Sequence, residues 1–182
     1  MQENNFFDVD ILINNAGLAI GREHFEDYLE DDYMRMIDVN IKSAFRMVHK
    51  VLPFMNKKQE GDIICISSIA AHIPYEGGAV YTATKHALRA FCTSVRQETC
   101  GKNIRLIQIS PGLVDTEFST VRFKGDKKQA DDVYKGMTPL VADDIAHQIV
   151  STILLPRHVN IDEMLIIPTD QGGISKVVRN KN

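Results

Sequence analysis

The chain of 182 residues has only three cysteines, Cys65, Cys92 and Cys100, and none belongs to a C-x-x-C pair. An odd, scattered set excludes a disulfide framework and a thiolate zinc site, and buried reduced thiols are the expectation. Long hydrophobic runs are missing too. Nothing approaches the roughly 18 continuous apolar residues that a bilayer span needs. Met1-Gln2-Glu3-Asn4-Asn5 lacks the basic-then-apolar order of a secretory leader. A cytoplasmic protein with no membrane partner is expected. Positive charge is not in excess: 21 Lys+Arg against 24 Asp+Glu leave a net charge of −3 with the signs interspersed. That distribution gives no footprint for gripping a phosphate backbone, so no nucleic-acid partner is expected. The one basic run, Lys176, Arg179 and Lys181, is short and terminal and reads as a solvated tail. His24, His49, His72, His86, His147 and His158 form no H-x-x-x-H pair, and no metal is expected.

What is present is the composition of one globular domain over residues 1–182, with 44% hydrophobic and 25% charged residues. Short β-branched runs stop at breakers: Asp10 to Ile13 before Asn14-Asn15-Ala16-Gly17, Asp62 to Ile66 before Ser67-Ser68, Ile104 to Ile109 before Ser110-Pro111-Gly112, and Met164 to Ile167 before Pro168. Each is too short for a helix and reads as a buried strand. Helical patterns lie between them, at about Leu29 to Asn56, Tyr81 to Cys100 and Ala142 to Leu154. Alternation of this kind predicts an α/β fold, a doubly wound parallel sheet with helices on both faces. The stretch from Asp115 to Met137 is long, polar and unpatterned and reads as a functional loop.

Tyr81 and Lys85 are four residues apart on a predicted helix, so their side chains share one face. An ammonium beside a phenol favours the phenolate and draws its pKa from about 10 toward working pH, as a general acid/base requires. Ser68 ends a predicted strand 13 residues earlier. Ligands of open parallel sheets sit at such carboxyl ends, and Asn14, Ser68 and Pro111-Gly112 all follow one. Three strand ends therefore converge on one crevice.

In order and spacing, Asn14-Asn15-Ala16-Gly17, Asn40 within Asp38-Val39-Asn40-Ile41, Ser67-Ser68, Tyr81-Thr82-Ala83-Thr84-Lys85 and Pro111-Gly112-Leu113-Val114-Asp115-Thr116 resemble the short-chain dehydrogenase/reductase family over about Val9 to Gln171. The resemblance implies a Rossmann-like fold and a catalytic set of Asn40, Ser68, Tyr81 and Lys85. Tyr81 would exchange the hydroxyl proton while a nicotinamide carries the hydride. Ser68 would polarise the substrate carbonyl, and Lys85 would hold the nicotinamide ribose and acidify Tyr81. Asn40 would support a water-linked relay to Lys85. Asn14, Ala16, Gly17, Tyr81, Lys85, Pro111, Gly112, Val114 and Thr116 would form the cofactor wall. The segments around Phe118 to Asp126, Val133 to Gly136 and Ile167 to Gln171 are similar to the branch that oxidises serine and other 3-hydroxy acids with NADP. NAD stays open as the cofactor. In that branch Arg122 would hold a substrate carboxylate, beside Ser68 and Tyr81, because a guanidinium binds carboxylate bidentately. The resemblance also implies a homo-oligomer, a dimer or tetramer.

The family's opening strand, T-G-x-x-x-G-x-G turn, helix and second strand have no counterpart before Val9, and Gly17-Leu18-Ala19-Ile20-Gly21 has Glu23 where the next glycine belongs. The expectation is a truncated domain lacking the N-terminal half of its sheet. The pyrophosphate normally rests on the helix N-terminus of that part, so weak or no activity is expected of this form. A bare edge on the strand at Asp10 to Ile13 follows as well. Two other readings compete. A serine hydrolase would need glycines around Ser68, and Cys65-Ile66-Ser67-Ser68-Ile69 has none; His72 follows no orienting carboxylate motif. A non-catalytic oligomerising α/β module would keep the same residues as relics.

Overall fold

The computed structural model describes residues 9–179, so Lys181 and the Met1 to Asn5 segment lie outside the described residues. Four strands form one parallel sheet in the order β1 (Ile11–Asn14), β2 (Gly61–Ile66), β3 (Ile104–Pro111) and β6 (Glu163–Ile166). The pairing is in register from Ile11↔Asp62 to Asn14↔Cys65 and from Gly61↔Ile104 to Ile66↔Ile109. β3 then pairs with β6 from Gln108↔Glu163 to Pro111↔Ile166. The two central strands read as continuous apolar runs because both of their faces are covered. Ile63, Ile64, Leu106, Ile107 and Ile109 have no exposed surface. A short parallel pair, β4 (Val114–Asp115) with β5 (Leu140–Val141), extends the end of β3.

One face of the sheet packs on α2 (Ser43–Lys58) and α3 (Ala79–Thr99) through Val48, Val51, Met55, Leu88, Cys92 and Val95. The other face packs on α6 (Ala142–Ile153) through Ile145, Ile149 and Ile153. The three predicted helices are thus present. The first is divided into α1 (Glu30–Ile37), a turn of π-helix at Asp38–Lys42, and α2. Such a turn inside a helix commonly marks a functional site, and Asn40 sits in it.

Three expectations are corrected. The 115–137 segment is not structureless: α4 (Glu117–Arg122) and α5 (Lys127–Asp132) form there. The Thr116 and Asp126 side chains cap them by accepting from Phe118 N–H and Gln129 N–H. Arg179 is not a solvated tail, since its guanidinium donates to the Lys135 and Val133 carbonyls. Cys65 and Cys92 are buried as expected, but Cys100 is exposed just past α3. Among the described residues β1 has no neighbour on its outer side, and Ile11 and Ile13 are 40% and 46% exposed.

At the amino ends of the strands, buried Asp62 accepts two bonds from Arg105, at 2.7 and 2.9 Å, and two from Arg157. Arg105 also donates to the Ile153 and Leu155 carbonyls at the end of α6. This ion cluster fastens the bottom of the sheet. The carboxyl ends are left to form the site.

Candidate active site

The carboxyl ends of β1, β2 and β3 open into one cleft of about 1580 Å³, lined by Gly17, Ser68, Tyr81, Lys85, Pro111, Gly112, Val114, Thr116 and Arg122 among others. Ser68 reaches it because β2 ends one residue before Ser67-Ser68. The Ser68 hydroxyl accepts from Ala70 N–H at 3.1 Å and caps the 3-10 turn Ile69–Ala71. Tyr81 and Lys85 stand on the first turns of α3, both buried. Ser68 and Tyr81 line the same cleft, and Ser68 is the neighbour that most opposes the effect of burial on the Tyr81 phenol. The Tyr81 ring packs edge-on against Phe118 of α4, with centroids 5.7 Å apart.

Lys85 Nζ donates to the Ile66 carbonyl at 2.9 Å and lies 5.8 Å from the centroid of the Tyr81 ring. Burial pulls its pKa from 10.5 down to about 8, against the opposing influence of Cys65 and Cys92. Tyr81 moves the opposite way, pushed by burial from 10 to about 12, while Ser68 and the charge of Arg122 pull it back. The expectation that Lys85 acidifies Tyr81 is therefore corrected. Both groups are taken out of water, which penalises each charged form, and Lys85 is not among the groups that pull the Tyr81 pKa down. The result is a phenol held protonated at neutral pH beside an ammonium poised to lose its proton.

Asn40 does not line the cleft with its side chain. Its Oδ1 accepts from Leu18 N–H at 2.8 Å, and its Nδ2 donates to the Leu18 carbonyl at 2.8 Å and to Thr84 Oγ1 at 3.0 Å. Thr84 in turn donates to the Tyr81 carbonyl at 2.7 Å. Asn40 thus staples the loop after β1 to the helix that carries Tyr81 and Lys85. Thr84 was not singled out from the sequence, although its place three residues after Tyr81 is the signal that could have found it.

Asn14 donates at 3.6 Å to Cys65 Sγ on the neighbouring strand, and Ala16 is exposed next to Gly17. Neither lines the cleft. Gly17 does: a Cβ there would meet Lys85 Nζ at 3.4 Å and Asn40 Oδ1 at 3.6 Å, so its backbone lies against both side chains. At Gly112 a Cβ would fall 2.2 Å from Gln171 Oε1, the atom that accepts from Leu113 N–H at 2.9 Å. A side chain there would have to push Gln171 Oε1 off that bond. Thr116 lines the cleft while capping α4, and the buried Ser67 Oγ, on the cleft wall, has no hydrogen-bond partner.

Arg122, at the end of α4, is held over the cleft between two phenol rings, 5.6 Å from the Tyr81 centroid and 5.7 Å from that of Tyr75. Its Nε donates to the Gly21 carbonyl at 3.1 Å and its Nη2 to Tyr75 Oη at 2.6 Å. Tyr75 is a second residue that the sequence pattern did not mark. No hydrogen bond links Ser68 with His72 among the described residues, which removes the geometry of a hydrolase. His72 does meet a carboxylate, but it is Glu163, brought from β6.

A family model described as "short chain dehydrogenase" matches residues 2–127. An NADP-dependent 3-hydroxy acid dehydrogenase from Schizosaccharomyces pombe is 44% identical over 176 residues, 97% of this chain and 68% of that protein. A serine 3-dehydrogenase from Agrobacterium fabrum is 41% identical over 92% of this chain and 67% of its own length. Among solved structures, the closed form of a serine dehydrogenase complexed with NADP+ superposes with a TM-score of 0.89 at 41% identity, over 93% of this chain and 68% of that one. Serine dehydrogenase from Escherichia coli gives 0.77 at 35% identity, over 91% and 66%. The chain thus spans about two thirds of the length of these relatives.

Proposed function

The chain belongs to the short-chain dehydrogenase/reductase family, a family of oxidoreductases, and on that footing we propose that its cleft serves the NADP-dependent oxidation of small 3-hydroxy acids such as serine, and the reverse reduction. The observation that carries this reading is the meeting of Ser68, Tyr81 and Lys85 in one cleft beneath the Arg122 guanidinium. NADP, when bound, supplies or takes the hydride. Gly17, Lys85, Pro111, Gly112, Val114 and Thr116 are the residues that would hold its nicotinamide end. The close approach of Gly17 to Lys85 and the unpartnered Ser67 hydroxyl support that fit.

In reduction, the Ser68 hydroxyl donates to the substrate carbonyl oxygen and Tyr81 delivers the proton. Burial keeps the phenol protonated and ready as the acid. In oxidation Tyr81 accepts the hydroxyl proton only after losing its own. Lys85, with a pKa of about 8, is the nearby group able to exchange protons at working pH. Arg122 keeps its Nη edge for the substrate carboxylate, since its Nε and one Nη2 donor are committed to Gly21 and Tyr75.

The homo-oligomer, a dimer or tetramer, is supported by apolar side chains exposed on α2: Phe45, Met47 and Phe54 at 38%, 44% and 45%. Phe45 stacks on Phe91 of α3 with ring centroids 4.2 Å apart. The test of the function is titration of the purified chain with NADPH, followed by fluorescence and thermal unfolding, then turnover with 3-hydroxy acids. Saturating NADPH at 100 times its dissociation constant is expected to stabilise by about 2.7 kcal/mol. Tyr81→Phe is expected to keep that shift and lose turnover. No response to NADPH in the wild-type chain favours the non-catalytic oligomerising module instead.

A further inference from the structure

One carboxylate outside the catalytic set touches both the turn that Ser68 opens and the helix that carries Tyr81 and Lys85. Glu163, the first residue of β6, is half-buried in a gap between the sheet, α3 and the turn after β2. Its Oε1 accepts from Ser110 Oγ of β3 at 2.7 Å and lies 2.6 Å from His72 Nε2. Its Oε2 accepts from Arg89 Nε of α3 at 3.0 Å. Burial opposes the charge, but the Ser110, Arg89 and His72 bonds together hold the carboxyl below its ordinary value, so the group is an ionised acceptor and His72 Nε2 is the donor.

What these partners have in common is that each lies on, or next to, an element that carries a residue of the cleft. His72 closes the 3-10 turn that Ser68 opens: Ala71 N–H donates to the Ser68 carbonyl at 2.9 Å and His72 N–H to the Ile69 carbonyl at 3.0 Å. Arg89 lies eight residues after Tyr81 on the same helix. Ser110 directly precedes Pro111-Gly112 of the cleft wall. A turn of three residues has little of its own to fix its orientation, and this turn bears the side chain that must meet the Tyr81 phenol.

We propose that Glu163 is a positioning residue, whose carboxylate pins the Ser68 turn to α3 and to the end of β3 and so sets the Ser68–Tyr81 geometry. The inference rests on the oxidoreductase reading for its catalytic consequence, but not for the pinning itself. A neighbouring contact supplies the control. Arg96 of α3 pairs with Asp162 at 2.5 Å, tying the same helix to the residue beside β6 without touching the Ser68 turn.

The test is hydrogen–deuterium exchange of the whole chain, resolved to the peptide spanning residues 67–73, with Glu163→Ala, Glu163→Gln and Asp162→Ala. Losing a charge-assisted anchor is expected to raise exchange at Ala70, Ala71 and His72 about tenfold in Glu163→Ala. Glu163→Gln keeps an acceptor and the shape and is expected to recover part of the protection. Asp162→Ala is expected to leave this peptide unchanged. Unchanged exchange in Glu163→Ala overturns the proposal. So does a uniform rise across all peptides, or the same rise in Asp162→Ala. In protein shown to turn over, Glu163→Ala is expected to lower kcat about tenfold with KM for the hydroxy acid within about twofold, and an unaltered kcat overturns the catalytic consequence. Exchange needs no turnover, so failure of the oxidoreductase reading appears separately, as absence of wild-type activity.

Discussion

Lys85→Met is expected to make the protein more stable and catalytically useless, and the pH dependence of the stability gain is the decisive signature. The Lys85 side chain is 4% exposed, and burial lowers its pKa from 10.5 to about 8. That difference corresponds to about 3 kcal/mol lost to folding below pH 8, where both the folded and the unfolded chain carry the proton. Methionine fills nearly the same volume and carries no charge, but it leaves the Ile66 carbonyl without its donor, at a cost of about 1 kcal/mol. A net gain of about 2 kcal/mol is expected at pH 6 to 7. The sign follows from proton counting. Between pH 8 and 10.5 the unfolded state binds the proton and the folded state does not, so wild-type stability rises with pH across that window. The advantage of Lys85→Met therefore shrinks from pH 8 upward and reverses at about pH 10. Urea unfolding of both proteins at pH 6, 7, 8, 9 and 10 reads this directly. A variant less stable at pH 6, or a difference that does not change with pH, refutes the claim that a buried ammonium is held here against its solvation.

Asn40→Ala strands the Leu18 N–H and carbonyl and removes the donor to the Thr84 hydroxyl, which keeps its own bond to the Tyr81 carbonyl, and a loss of about 2 to 3 kcal/mol in urea unfolding is expected; a loss below about 1 kcal/mol would show that the staple is dispensable. Asp62→Ala leaves the buried Arg105 uncompensated and is expected to cost about 3 to 5 kcal/mol, with the double variant Asp62→Leu, Arg105→Met recovering most of it in the same assay. Arg122→Ala is expected to raise KM for 3-hydroxy acids by about tenfold or more while leaving neutral alcohols unaffected, and equal effects on both would remove its role as a carboxylate anchor.

The parallel sheet was legible because its strands are written as short apolar runs between breakers, and a residue such as Ile64 or Ile107 can only be buried on both sides. Tyr81 and Lys85 of α3 were legible for a similar reason: a spacing of four on a helix fixes a shared face before any tertiary contact forms. Local pattern thus determined the fold class, the shared helix face of Tyr81 and Lys85, and the strand ends at Ser68 and Pro111-Gly112 that line the cleft, whereas Asn14 turns to Cys65 instead. What local pattern could not carry were properties that depend on distant partners. The short helices α4 and α5 are held by single-residue caps at Thr116 and Asp126, too brief to leave a period. Tyr75 meets Arg122 across 47 residues, and Glu163 meets His72 across 91. The opposed pKa values of Tyr81 and Lys85 were likewise decided only by the tertiary structure, because sequence spacing states how near two charges lie but not how much water is removed from around them.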